Sequence, residues 1–267
     1  AADGHFRPVV EFMYADFVYV AADQVFNQIA KMRHMFGGDL PVPLVLRAKV
    51  AAKSGYGSQH SMDPSGLFTQ FPGWRIVAPS TPYDYVGLMN SALLCEDPVL
   101  VVEHLDLYQS NGPAPSEDLD YYIRLGKAKV VRSGADFTVL TSLAMVKPCV
   151  EVADKADIGA EVIDLRSLDR ASLDWDTIGA SVRKTNNVLI VEQGTQGTSF
   201  GGTIADELHR RFFDYLDQPV KRVVGGEAAP TISKVLDLAA NAGDEDILDG
   251  YRDILSDSGG LVRNAAE

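Results

Sequence analysis

Apolar runs rich in β-branched residues alternate with helical patterns along nearly the whole chain, and this alternation constrains the fold more than any other feature. The stretch RPVVEFMY reads as a buried strand. Behind it, Ala22, Val25, Phe26, Ile29 and Ala30 recur at i, i+3, i+4, i+7 and i+8, which lines one face of a helix. The glycines of MFGGD supply the stop such a helix wants. VPLVLRAKV then reads as a strand, DPSGLFTQF as a short helix opened by Asp63 and Pro64, and WRIVAPS as another strand. TPYDYVGLMNSALLC reads as a helix with a Thr-Pro start, and PVLVVEH as a strand. Such β-α alternation predicts a mostly parallel sheet covered by helices on both faces.

The pattern breaks at YQSNGPAPSEDLD, residues 108–120, a polar stretch with two prolines that reads as a linker. It then resumes with DFTVLTS as a strand, MVKPCVEVADKA as a helix, AEVIDLRSL as a strand, WDTIGASVRKT as a helix and NVLIVEQG as a strand. A further helix carries Ile204, Leu208 and Phe212 at steps of four, and VKRVVGG reads as a last strand. The residues after about Gly243 are acidic and receive no element. The expected fold class is α/β, with two three-layer domains, 1–115 and 116–267, each holding a mostly parallel sheet.

At 267 residues, 46% of them hydrophobic, the chain can bury the cores of one large or two ordinary domains. A net charge of −13 argues against nucleic acid as a partner, which needs a basic stripe. No run approaches the roughly 18 apolar residues of a membrane span. The stretch AADGHFRPVV lacks the basic start and apolar core of a secretion signal. Cys95 and Cys149, the only cysteines, lie far apart and without metal-ligand spacing, so a reduced, cytoplasmic setting is the default. GTQGTSFGG is rich in glycine but has neither the dinucleotide-binding nor the P-loop spacing, and reads as a turn into the Ile204 helix.

His60 lies in SQHSMDP, just behind the Gly-rich KSGYGSQ. An imidazole moves protons near neutral pH, and loops on a rigid scaffold often carry catalytic groups. Taken alone, a loop histidine is more often only polar. A resemblance changes its weight. RPVVEFMYADF, DQVFNQIAKMRHMFGG, VPLVLRA, SQHS, PSTPYDYVGLM, LGKAKVVRSGADFTVLT, EVIDLRSL, SVRKTNNVLIVEQGTQG and YLDQPVKRVVGG run in order from residue 7 to about 226. They resemble the beta subunit of the thiamine-diphosphate-dependent dehydrogenases that decarboxylate 2-oxoacids or cleave acetoin. EFMYADF, MRHMFGG, STPYDY, VVEH and FDYLDQPVKRVVGG are most similar to acetoin-cleaving members.

The resemblance implies a pyrimidine-binding domain followed by a transketolase-like C-terminal domain. It implies thiamine diphosphate bound between this subunit and an alpha subunit, which holds the diphosphate through magnesium. A second beta subunit would complete a heterotetramer, and a lipoyl-bearing acyltransferase would receive the acyl group. Matched to the family's Gln-His-Ser, His60 becomes catalytic, donating a proton or stabilising negative charge at the substrate oxygen. Phe17 falls where the family stacks an aromatic on the aminopyrimidine, its other reading being core. Met13 falls where branched-chain members carry a glutamine, and either lines the cofactor or fills an apolar gap.

Asp97, in CEDPVLVV, belongs to a loop around which some relatives bind potassium, largely through backbone carbonyls; its other reading is turn formation. Cys95 stands where one of those relatives has an aspartate. Glu11 reads as a buried, paired structural acid, and Glu103 is left open. The glutamate that activates the cofactor in the family lies on a strand upstream of RPVVEF, and none of Asp3, Glu11 or Asp16 matches it. The expectation is therefore an N-terminally incomplete part of a longer subunit, the alternative a non-catalytic scaffold that binds an alpha subunit. AADQVFNQIAKMRHMF and GGTIADELHRRFFDYL carry more apolar residues than one buried face needs, which points to subunit contacts.

Overall fold

The structure is a computed structural model that describes residues 6–112, 117–195, 200–226 and 229–264. Its first sheet contains β1 (Val9–Phe12), β2 (Val45–Val50), β3 (Arg75–Val77) and β4 (Val99–His104), all parallel, in the order β1-β2-β4-β3. Between these strands lie α1 (Ala30–Met35), led in by a π-wound turn at Asp23–Ile29, then α2 (Ser65–Phe68) and α3 (Pro82–Leu94). Side chains alternate across a strand. Leu46, Ala48 and Val50 of β2 thus share one cluster with Phe26, Phe68 and Trp74, while Val45 turns to the other face with Leu88 and Ala92 of α3. The Thr-Pro start of α3 works as expected: Thr81 Oγ1 accepts the Asp84 N–H at 3.1 Å, with Pro82 opening the first turn.

The second sheet contains β5 (Lys129–Arg132), β6 (Phe137–Thr141), β7 (Ala160–Asp164), β8 (Val188–Thr195) and β9 (Lys221–Gly225), in the order β5-β7-β6-β8-β9. Four strands run parallel, and β5 joins the edge antiparallel to β7. Around it pack α4 (Val146–Lys155), α5 (Trp175–Thr185), α6 (Gly201–Phe212), α7 (Lys234–Ala240) and α8 (Asp244–Asn264). Asp174 caps α5 by accepting the Thr177 N–H at 3.3 Å, and Asn186 ends it in the left-handed region at φ 57°. Ile204, Leu208 and Phe212 of α6 are all buried, as their spacing requires.

Three expectations change. RPVVEFMY forms β1, which is not buried as expected: among the described residues it is flanked by β2 alone, and Val9 and Val10 are 50% and 42% exposed. The strand β5 was not expected, because an antiparallel edge strand breaks the βαβ pattern. The acidic region after Gly243 is α8, whose Ile247, Tyr251 and Ile254 close the second domain's core beside Phe137 and Val223. Residues 196–199 of the glycine-rich stretch lie outside the described residues.

The two domains are joined by backbone and core alike. The free edge of β3 meets the chain beyond β7: Ala78 N–H donates to Arg166 O at 2.8 Å, and Leu168 N–H to Ile76 O at 2.9 Å. One apolar cluster runs from Val25 and Phe26 through Leu143 and Leu168 to Ile204 and Phe212. Above it, Arg166 pairs with the buried Asp84, and the Ser80 hydroxyl donates to Asp164 at 2.5 Å. No helix among the described residues is long and apolar enough to cross a membrane.

Candidate active site

Parallel strands send their following loops to one edge of the sheet, where α/β proteins place their sites. The C-terminal edge of the first sheet holds the turn after β1 and the loop after β2. The turn is a 3-10 segment, Ala15–Ala21, with Tyr14 at its head. Its three-residue period puts Tyr14 and Phe17 on one side. Both meet His60 edge-on, Tyr14 with ring centroids 4.4 Å apart and Phe17 with 5.6 Å. Tyr56, from the loop after β2, lies 6.0 Å away on a tilt. The imidazole is thus bounded by three aromatic rings at the sheet edge.

Polar groups fix the surroundings. Asp16 Oδ2 accepts the Met62 N–H at 3.2 Å and so ties the first turn to the chain just past His60. Burial pushes the Asp16 carboxyl up, against the pull of the Met62 N–H and of His60. Burial and the neighbouring Tyr56 likewise raise the Tyr14 phenol. Lys49 Nζ sits 4.5 Å from the Tyr14 ring centre and 5.7 Å from that of Tyr108, a pair of cation–π contacts.

Beyond Tyr108 is a second polar knot. Glu103, buried at the end of β4, takes two hydrogen bonds from Arg47 at 2.7 and 3.1 Å, one from Tyr85 at 2.6 Å, and one from Tyr108. Burial alone would raise the Glu103 carboxyl, but Arg47, Tyr108 and Tyr85 hold it below its usual range. The two phenols are raised well above theirs by burial and by that carboxylate. This knot walls a cavity of about 410 Å³ together with Pro79, Pro82 and Leu107.

The structure brings Phe17 and His60 into contact. Phe17 stays 42% exposed, so part of its ring is open, and Met13 at the same junction is 65% exposed. Asp97 is elsewhere. It precedes β4 at the opposite edge of the sheet, where Arg33 binds it at 2.5 Å and Arg75 approaches to 3.8 Å. Glu11 is paired, to Arg47 at 3.1 Å, but its side chain is 46% exposed because it rides β1, which β2 alone flanks among the described residues. Of the two acids that bind Arg47, Glu103 on β4 is the buried one. Tyr14, Asp16 and Tyr56 escaped the sequence reading as neighbours of His60, although the three-residue step from Tyr14 to Phe17 is visible in it.

The chain's two halves match two known domain types: the transketolase pyrimidine-binding domain over residues 1–110, and the transketolase C-terminal domain over residues 126–243. The beta subunit of acetoin:2,6-dichlorophenolindophenol oxidoreductase from Cupriavidus necator is 39% identical over 220 residues, covering 81% of this chain and 64% of that protein. Its counterpart from Bacillus subtilis is 39% identical over 241 residues, covering 89% and 69%. The beta subunit of 2-oxoisovalerate dehydrogenase from Pseudomonas aeruginosa is 38% identical over 234 residues, covering 82% and 66%. The chain spans about two thirds of the length of these curated relatives. A solved structure described as "Split gene transketolase, inactive beta4 tetramer" shares the fold, with a TM-score of 0.74 at 19% identity over 96% of this chain and 78% of that one. With both domains in the same order and more than a third of its residues shared over most of its length, the chain belongs to the family formed by the beta subunits of acetoin, 2-oxoisovalerate and pyruvate dehydrogenases.

Proposed function

We propose that this chain is the beta-subunit part of a cytoplasmic, thiamine-diphosphate-dependent dehydrogenase that decarboxylates a 2-oxoacid such as pyruvate, or cleaves acetoin, and passes the acyl group to a lipoyl carrier. The observation that carries the reading is His60, an imidazole bounded by Tyr14, Phe17 and Tyr56 in a chain of this family. The division between its two domains is taken at residue 115.

The residues fit one end of thiamine diphosphate. Phe17 offers an open part of its ring beside His60, and Met13 an exposed thioether, both suited to a flat aminopyrimidine. The family resemblance assigns the diphosphate and magnesium to an alpha subunit, with a second beta subunit and a lipoyl-bearing acyltransferase as the further partners, and a net charge of −13 gives this chain no general attraction for the anion. Potassium around the Asp97 loop remains part of the proposal: the Asp97 carboxylate is held by Arg33 and approached by Arg75, so the ligands there would be backbone carbonyls.

When bound, thiamine diphosphate supplies an electron-accepting thiazolium for breaking a carbon–carbon bond beside a carbonyl. His60 then donates a proton, or a hydrogen bond, to the substrate oxygen on which negative charge gathers. The flanking rings restrict its rotation, so little reorganisation is left for the reacting state. The test is reconstitution with an alpha subunit, cofactor and magnesium. His60→Ala should lower turnover by about 10²–10⁴-fold and leave cofactor affinity near wild type. Normal turnover at saturation would refute the assignment. Calorimetry on this chain alone should show weak binding of thiamine diphosphate or none.

A further inference from the structure

His60 is presented by a loop whose backbone is unusual. Lys53, Gly55 and Gly57 all have left-handed φ, at 67°, 74° and 83°. Glycine takes that conformation freely, but lysine does not, and such strain persists only where the surroundings impose it. The base of the loop closes on itself: Ala51 N–H donates to His60 O at 2.9 Å, His60 N–H to Gly57 O at 3.2 Å, and Ser61 Oγ to Gly57 O at 2.8 Å. His60 therefore follows wherever residues 53–57 are held.

What holds them comes from the other domain. The Gly55 N–H donates to Asp237 Oδ2 at 2.8 Å, across 182 residues of sequence. A Cβ on Gly57 would stand 3.1 Å from Ile232 Cγ1, so the tip lies directly on the segment leading into α7. Asp237 is fully buried in α7, and its other oxygen accepts from Asn241 Nδ2 at 3.1 Å. The end of α7 is fixed in turn to the end of β9 through Gly226 N–H to Ala240 O at 2.9 Å. Burial lowers the amine of Lys53, half-buried in the same loop, against the charges of Asp244, Asp106, Asp246 and Asp237. A buried carboxylate is costly unless its oxygens are bonded, and here one of them is spent on a single backbone amide of the His60 loop.

We propose that Asp237 is a positioning residue: anchored in the second domain, it grips the Gly55 amide and so sets the loop that presents His60. This rests on the catalytic reading of His60 given above. Three variants of the assembled enzyme separate the two ideas: His60→Gln, Asp237→Ala and Asp237→Asn, the last keeping an oxygen that can accept the Gly55 N–H. Asp237→Ala should lower kcat by about 10- to 100-fold with KM nearly unchanged, because a misplacement near 1 Å at a reacting centre costs on the order of 10²-fold. Asp237→Asn should recover most of it. Amide exchange in residues 51–60, followed by mass spectrometry, should quicken by about tenfold or more in Asp237→Ala and stay slow in Asp237→Asn, with β6 and β8 unchanged in both. Should Asp237→Ala fail to fold, the shorter Asp237→Ser carries the same comparison. Normal kcat in Asp237→Ala or Asp237→Ser beside a slow His60→Gln overturns the positioning role, as does faster exchange spread over the whole second domain. Wild-type turnover in His60→Gln removes the catalytic reading, and the positioning role with it.

Discussion

Asp164→Asn tests whether a carboxyl buried between the domains titrates as its surroundings dictate. Asp164 ends β7 fully buried, with the Ser80 hydroxyl donating at 2.5 Å and the Arg166 backbone N–H at 3.0 Å. Burial lifts its pKa to about 6 and the neighbouring Asp84 adds to the rise, while Ser80 and Arg166 restrain it. In the unfolded chain the value is about 3.9. Between those two values the folded protein keeps a proton that the unfolded chain releases, so stability falls as pH rises. The slope is about 1.4 kcal/mol per pH unit, or about 3 kcal/mol over the interval. This contribution is complete below about pH 4 and gone above about pH 6. Asparagine cannot ionise. The stability of the variant relative to wild type should therefore improve by about 3 kcal/mol from pH 4 to pH 7. Urea unfolding followed by the fluorescence of Trp74 and Trp175 at half-unit pH steps measures it, since carboxylates that do not interact with Asp164 cancel in the difference. Parallel curves for the two proteins would refute the reasoning.

Other outcomes follow from the same geometry. Glu103→Ala should cost about 3 kcal/mol, because it strips the acceptor from Arg47, Tyr85 and Tyr108 in a largely buried knot. The wild-type carboxyl is held below its usual range, so its contribution is present at neutral pH and lost as pH falls through that lowered value; the variant should show a flatter acid limb. Phe17→Ala, in the reconstituted enzyme, should weaken thiamine diphosphate by about 1 kcal/mol in a titration while sparing turnover at saturation. An unchanged Kd would mean that the ring does not stack. Burial pushes the Cys149 thiol up to about 12 and shields it, so iodoacetamide at pH 8 should label the half-buried Cys95 first and reach Cys149 only on unfolding. Equal labelling rates in the native protein would contradict that.

The element order was legible because it rests on short-range periodicity. Leu46, Ala48 and Val50 alternate, and Ile204, Leu208 and Phe212 step by four, and each set lands in the core as its spacing demands. The helix α8 was legible too, in Ile247, Tyr251 and Ile254 at i, i+4 and i+7, but the surrounding acids drew attention from it. Glu11 and Glu103 show where such reading stops. Both occupy strands beside Arg47, and only the sheet order decides that, among the described residues, β1 is flanked on one side and β4 on both.

His60 stood out through the family resemblance; by itself the sequence determined the alternation of strands and helices, the Thr81 start of α3, and the lack of a basic stripe or membrane-span pattern. These are local properties, set by the chemistry of residues within a few positions of one another. Only the tertiary structure decided what surrounds His60: Tyr14 and Phe17 from the turn after another strand, Asp16 tied to Met62, and Asp237 bonded to Gly55 across 182 residues. It alone also placed Ser80 on Asp164 and Arg166 on Asp84, and put Asp97 at the far edge of the sheet. Burial and electrostatics sum over every neighbour in space, and topology chooses those neighbours without regard to their distance along the chain.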